Sequence, residues 1–321
     1  MKLQTSIPLF KQTNNLINYE SNILLLGSCF VENIGEKLAY FKFNNKVNPF
    51  GILFHPKAIE KLIEKSLSLA YYSENEVFFH NEQWHCFDVH SKLSNPSKDN
   101  LLEHLNDSIN SSCHQLKKAT HIVITLGTAW VYSFLENNNT VANCHKIEQK
   151  YFDKKLLSVN AIVASLQNII KLITTVNKKA SVIFTVSPIR HVKDGFIENT
   201  QSKAHLISAI HEVIKAQLLT ENNQLYYFPS YEIMMDELRD YRFYAEDMIH
   251  PSQTAINYIW EAFKYVWISE KAVKTMENVD AIQKGLQHKP FNPNSEAHKK
   301  FLQKLESKKQ ALSKSFPHMS F

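Results

Sequence analysis

The stretch Asn22-Ile-Leu-Leu-Leu-Gly-Ser-Cys-Phe-Val31 is apolar from Ile23 to Leu26, breaks at Gly27, and presents Ser28 just before a helical pattern begins. A run apolar on both faces predicts a central strand covered by helices on both sides. In open α/β sheets ligands gather at the carboxyl ends of the strands, and Ser28 falls at such an end. Ser28 is therefore a candidate nucleophile, although serine is also a favoured helix N-cap.

More than two hundred residues later the chain reads Ala-Glu-Asp247-Met-Ile-His250-Pro251-Ser252, ahead of the last amphipathic helix of the core. On a tight turn, a carboxylate three residues before a histidine can bond one ring nitrogen, fix the tautomer and leave the other nitrogen facing a nucleophile. Ser28, His250 and Asp247 then form a candidate triad.

The block Gly27-Ser28-Cys29-Phe30-Val31 resembles the signature of the GSCFA family, which is similar to the SGNH (GDSL-type) hydrolases. The resemblance continues through Asn48-Pro-Phe-Gly-Ile-Leu-Phe-His-Pro56, Thr125-Leu-Gly-Thr-Ala-Trp-Val-Tyr132, Ser187-Pro-Ile-Arg-His-Val-Lys-Asp-Gly195 and Asp247 to His250, reaching about Val266. It departs at Val31, where the family has Ala, and at Leu26-Gly27-Ser28, where the wider superfamily has Gly-Asp-Ser. The resemblance implies an SGNH-like α/β fold and ester hydrolysis through an acyl-enzyme, without metal or organic cofactor. It also implies an oxyanion hole built from the N–H groups of Ser28 and Gly51. The third donor of the superfamily is an Asn in a Gly-x-Asn-Asp block, replaced here by Thr128-Ala129-Trp130; Thr128 and Asn48 are the alternatives.

The 321 residues, 44% hydrophobic and 21% charged, suffice for one large domain with inserts. Much of the net charge of +5 sits at the end of the chain, without a basic, aromatic-laced stripe, so no nucleic-acid partner is expected. No apolar run of the ~20 residues a membrane span needs is evident. The N-terminus shows no signal-peptide pattern, and Cys29, Cys86, Cys113 and Cys144 form no CxxC pair, so a reduced, cytoplasmic setting is expected.

Apolar spacing predicts helices from Val31 to Phe43, from His55 to Leu67, Asn100 to Leu116, Ser158 to Val176 and Thr200 to Leu219, with further buried strands at 120–127, 181–188 and 225–231. This order gives a three-layer α/β/α sandwich with a mainly parallel sheet. Two hairpins are expected as inserts, near 76–90 and 130–147. In the first, period two places Trp84, Cys86, Asp88 and His90 on one face, as a wall of the substrate pocket or as ligands of a metal-dependent hydrolase. Trp130 is expected as a pocket wall, and Arg190 and His191 as donors to a substrate carbonyl, carboxylate or sugar hydroxyl. His191 also competes with His250 as the base. Residues 1–270 are expected to form the hydrolase-like domain and 271–321 a charged, solvated helical tail. The polar, histidine-rich inserts favour a small acyl group on a carrier such as a sugar. A non-catalytic carbohydrate- or ligand-binding module on the same fold and a metal-dependent hydrolase using Cys86, Asp88 and His90 are the alternatives.

Overall fold

The computed structural model describes residues 5–217 and 224–321. Its centre is a five-stranded sheet, all parallel, built from β1 (Asn22–Gly27), β2 (Asn44–Val47), β5 (His121–Leu126), β9 (Ser181–Val186) and β10 (Leu225–Tyr227). The spatial order is β2-β1-β5-β9-β10, with Ile23 opposite His121 and His121 opposite Ser181. The strand order reverses beside β1, so its carboxyl end lies at the topological switch point.

Alternation along the strands supplies two cores. Leu24, Leu26, Ile122, Ile124, Leu126, Val182, Phe184 and Val186 face one side, covered by α2 (Pro56–Leu67), α3 (Lys98–Lys118), α4 (Val159–Val176) and α5 (Phe196–Gln217). Ile23, Leu25, Val123 and Ile183 face the other, covered by α1 (Cys29–Tyr40), α7 (Gln253–Trp267) and α8 (Glu270–Gln287). Burying a side chain of this size contributes about 2 kcal/mol, and parallel strands need both faces covered. The three-layer α/β/α sandwich expected from the sequence is the fold found.

The sequence reading omitted β2. Asn44-Asn45-Lys46-Val47 has no apolar run because it is an edge strand, half exposed, where polar residues and lysine discourage pairing with another chain. The first insert is a hairpin of β3 (Phe78–His80) and β4 (Gln83–His85), turned by Asn81 and Glu82, both in the left-handed region. The second insert is a three-stranded antiparallel sheet: β6 (Trp130–Phe134) lies between β7 (Asn139–Val141) and β8 (Phe152–Leu156). The expected hairpin stopped short of β8, whose Asp-Lys-Lys core hides its strand character. The last core strand ends at Tyr227, and the chain enters a single turn, α6 (Ser230–Glu232), continued by a π-helical turn over Ile233–Glu237. Residues 218 and 219, assigned to the helix of α5 from the sequence, lie outside the described residues.

Two further expectations need correction. α4, with 18 residues, is long and apolar enough to cross a membrane; here it is a core helix that buries Ile162, Leu166, Ile169 and Ile173. The segment after 270 is not a solvated tail throughout. α8 buries Ala272, Met276, Val279 and Ile282, and Asp280 accepts a bond from the Tyr40 hydroxyl at 2.9 Å. α9 (Glu296–Ser315) packs Leu305 against Gly285, and Phe316 beyond it meets the Tyr19 ring.

Candidate active site

Ser28 follows β1 and occupies the N-cap position of α1, yet its side chain makes no capping bond. The serines that cap α3, α4, α7, α8 and α9 all accept one: Ser97, Ser158, Ser252, Ser269 and Ser295. The Ser28 hydroxyl is fully buried and has no partner among the described residues. A buried polar group without a hydrogen bond costs stability, so Ser28 is not held there to cap the helix. Gly27 makes the turn possible: at φ +129 it passes so close to the Thr125 carbonyl that a Cβ would stand 2.1 Å from the oxygen.

Other orphaned polar atoms belong to residues that touch the two neighbouring glycines, Gly27 and Gly127. Asn48 bonds the Gly27 N–H through Oδ1 at 2.8 Å, which leaves its buried Nδ2 with no acceptor among the described residues. The Thr125 hydroxyl, on the residue paired with Gly27, is also buried and unpartnered. His191 Nε2 is a further such atom. It stands 3.2 Å from the point where a Gly127 Cβ would lie, and Ser28 Cβ stands equally close to that point. The His191 ring and Ser28 are therefore neighbours across Gly127. Burial above all, then the charges of Lys203 and His250, pushes the His191 pKa down to about 3 and keeps its imidazole neutral.

Asp247 and His250 form the expected dyad on the turn before α7. Asp247 Oδ2 meets His250 Nδ1 at 2.6 Å, while Oδ1 accepts the backbone N–H groups of Ile249 and His250, each at 2.9 Å. Those N–H bonds, with the imidazole, draw the Asp247 pKa down to about 2. Met248, in the left-handed region at φ 57, lets the turn close. The Ser28–His250 bond that a triad requires is not formed, since the Ser28 hydroxyl is unpartnered and the dyad is about half exposed.

Three of the four groups expected as oxyanion donors are engaged elsewhere. The Ser28 N–H is donated to the Thr125 carbonyl at 3.0 Å and the Gly51 N–H to the Asn48 carbonyl at 2.8 Å. The Thr128 hydroxyl is bonded to Ser202 Oγ at 3.0 Å and accepts the Trp130 N–H. Of the four donors named from the sequence, the Asn48 amide is the one whose N–H has no acceptor among the described residues, and its Oδ1 is bonded to Gly27, the residue before Ser28. The uncapped first turn of α1 adds its positive dipole end there.

Among the substrate-binding candidates, His90 packs its Cβ over Gly51 and gives its N–H to the Phe50 carbonyl. It thus joins the first insert to the Asn48–Gly51 turn. Trp130 donates its indole N–H to the Glu198 carbonyl at 3.3 Å, and Lys154 Nζ lies 4.8 Å from its ring. Arg190 grips the dyad turn instead of facing open space. Its guanidinium bonds the Met248 carbonyl, its N–H the Ile249 carbonyl, and it stacks on Tyr244 at 4.2 Å. Trp84 is not brought to the site: its ring meets Phe79 and Lys98.

The alternative metal set is not assembled. β4 ends at His85, so Cys86, Asp88 and His90 share no strand face. Asp88 pairs with Lys61 at 2.6 Å, burial drives the Cys86 thiol up to about 12, and His90 caps a turn through Nδ1. Among the described residues no three His, Cys, Asp or Glu side chains are grouped to hold a metal ion. Cys29, beside Ser28, is a partly buried thiol whose pKa is raised, chiefly by burial, which disfavours the thiolate.

Sequence reasoning missed the inner face of α5. Its Asn199 Oδ1 accepts the His191 N–H at 2.9 Å, its Ser202 holds Ala129 and Thr128, and its Lys203 reaches the carbonyls of Gly127 and Ser187. The signal was present in the spacing, since 199, 202 and 203 share one helical stripe with Leu206, Ile210 and Val213. His55 was missed as well. It caps α2 through Nδ1 and donates from Nε2 to the Val141 carbonyl, tying the second insert to the body.

The fold and the site together define a doubly wound α/β protein with a secluded serine at the switch point and an Asp-His dyad on the turn before α7. The chain belongs to the GSCFA family, which it matches over residues 22–263, and the C-terminal domain of GSCFA domain proteins matches residues 279–321. No match is found among curated proteins. Solved structures to which the chain is similar include a mutant acetyl esterase with acetate ion (10% identity, 81% of this chain and 99% of the other, TM-score 0.32). Another is a carbohydrate esterase family 3 protein from Talaromyces cellulolyticus (10% identity, 80% and 99%, TM-score 0.33).

Proposed function

We propose that the protein is a serine-dependent ester hydrolase of the esterase or O-acetylesterase type. The observation that carries this reading is the Ser28 hydroxyl, which stands buried at an N-cap at the switch point without capping and with no partner among the described residues. In the first step His250, oriented by Asp247, takes the Ser28 proton as Ser28 attacks the ester carbonyl. Asn48 Nδ2 and the uncapped end of α1 stabilise the oxyanion. Collapse releases the alcohol, which recovers the proton from His250. Water then attacks the acyl-serine with His250 as base, and the carboxylic acid leaves as His250 returns that proton to Ser28. The missing Ser28–His250 bond requires a rearrangement of the dyad turn or of the Ser28 side chain as substrate enters.

A small acyl group on a polar carrier suits the secluded serine and the polar inserts. Hydrolysis of p-nitrophenyl acetate and of acetylated sugars by the purified protein tests the reading. Turnover abolished by Ser28→Ala and by His250→Ala supports it. Turnover retained in folded Ser28→Ala would remove Ser28 from the mechanism. The unformed Ser28–His250 bond favours a second reading, ligand binding without hydrolysis, in which acetylated sugars bind and are not cleaved.

A further inference from the structure

Lys203 is a lysine with 1% of its surface exposed, inside the layer between α5 and the sheet. Its ammonium donates to the Gly127 carbonyl at 2.7 Å and to the Ser187 carbonyl at 2.8 Å. These carbonyls follow β5 and β9, the strands whose ends carry Gly127 against Ser28 and His191 across from it. Among the described residues no carboxylate is paired with Lys203. The titratable groups that face it are the Cys29 thiol from α1, His191 from the loop after β9 and, at 5.7 Å, the Tyr231 ring from α6. Burying an ammonium with two carbonyls and no counter-ion is costly. A methionine would fill the same space without that cost, so packing alone does not explain the residue.

Building on the serine-hydrolase reading, we propose that Lys203 is a positioning residue of the Ser28 site. Its buried ammonium clasps the ends of β5 and β9 so that Gly127 presses Ser28 and His191 together. Its uncompensated charge, held on the carbonyl of the Gly127 against which Ser28 Cβ packs, favours the negative charge that develops on the oxyanion during attack. Burial lowers the Lys203 pKa to about 7, so the clasp is charged below neutrality and weakens above it.

The test compares wild type, Lys203→Met and Lys203→Arg, each checked for folding by its melting curve. Labelling of Ser28 by a fluorophosphonate is followed across pH 5.5–9.5. In wild type the rate falls above about pH 7. Lys203→Met labels at least about tenfold more slowly and lacks that falling limb, whereas Lys203→Arg, charged throughout, restores part of the rate without the limb. A folded Lys203→Met with wild-type rate and profile would overturn the proposal. A second readout needs no reactivity: in proton NMR the His191 ring titrates at higher pH in Lys203→Met than in wild type. If wild type does not label at all, the hydrolase reading fails by itself. Unchanged His191 titration would then independently refute the Lys203 assignment.

Discussion

At the residue scale, a serine at a helix start carries two readings that sequence cannot separate, because capping and catalysis ask for the same residue at the same place. The partners in the structure speak against capping. Ser158 and Ser252 accept the Ala161 and Ala255 N–H groups, whereas Ser28 accepts none. Ser158→Ala should therefore cost about 1 kcal/mol in urea unfolding, while Ser28→Ala, which deletes an unpaired buried hydroxyl, should leave stability unchanged or slightly raised. A loss of similar size at both positions would restore the capping role. Gly127→Ala would bring a methyl group within 3.2 Å of Ser28 Cβ, His191 Nε2 and Phe54 Cδ1. Its expected effect is slower Ser28 labelling with the fold retained. The Asp247–His250 pair was legible because both residues lie within four positions of each other. The approach of Ser28 and His191 to each other across Gly127 was not, because three separate loops create it.

At the element scale, strands with continuous apolar runs, β1, β5 and β9, were legible, and those at edges or in inserts, β2 and β8, were not. Edge and insert strands need polar exposed faces, which erases the hydrophobic run that reveals a central strand. α8 shows the complementary effect. Its lysines and acids suggested a solvated helix, but Ala272, Met276 and Val279 recur on one face and close the core beside α1 and α7. Met276→Ala should cost about 2–4 kcal/mol. A change under about 0.5 kcal/mol by chemical denaturation would show that α8 is dispensable to the body. The polar start of the α5 stripe was hidden by the same habit of reading charged residues as exposed.

At the scale of the whole molecule, parallel topology brings the end of β1, the turn before α7 and the loop after β9 to one end of the sheet, although Ser28 and His250 are over two hundred residues apart. Secluding polar groups there leaves a mark on global stability. The folded Lys203 pKa, about 7, lies below its ordinary 10.5. Between those values the unfolded chain binds a proton that the folded chain does not, so this residue makes stability rise with pH across that window. Wild type should therefore gain stability relative to Lys203→Met from pH 7 to 9.5, read as a shift in urea midpoint. A constant difference would contradict it.

The most direct test of Ser28 as an activated nucleophile is fluorophosphonate labelling of the purified protein, with the adduct located by peptide mass spectrometry. One adduct, on Ser28, lost in Ser28→Ala and strongly reduced in His250→Ala, is the expected result. Folded wild-type protein that stays unlabelled, or carries the adduct on another residue, would contradict the assignment.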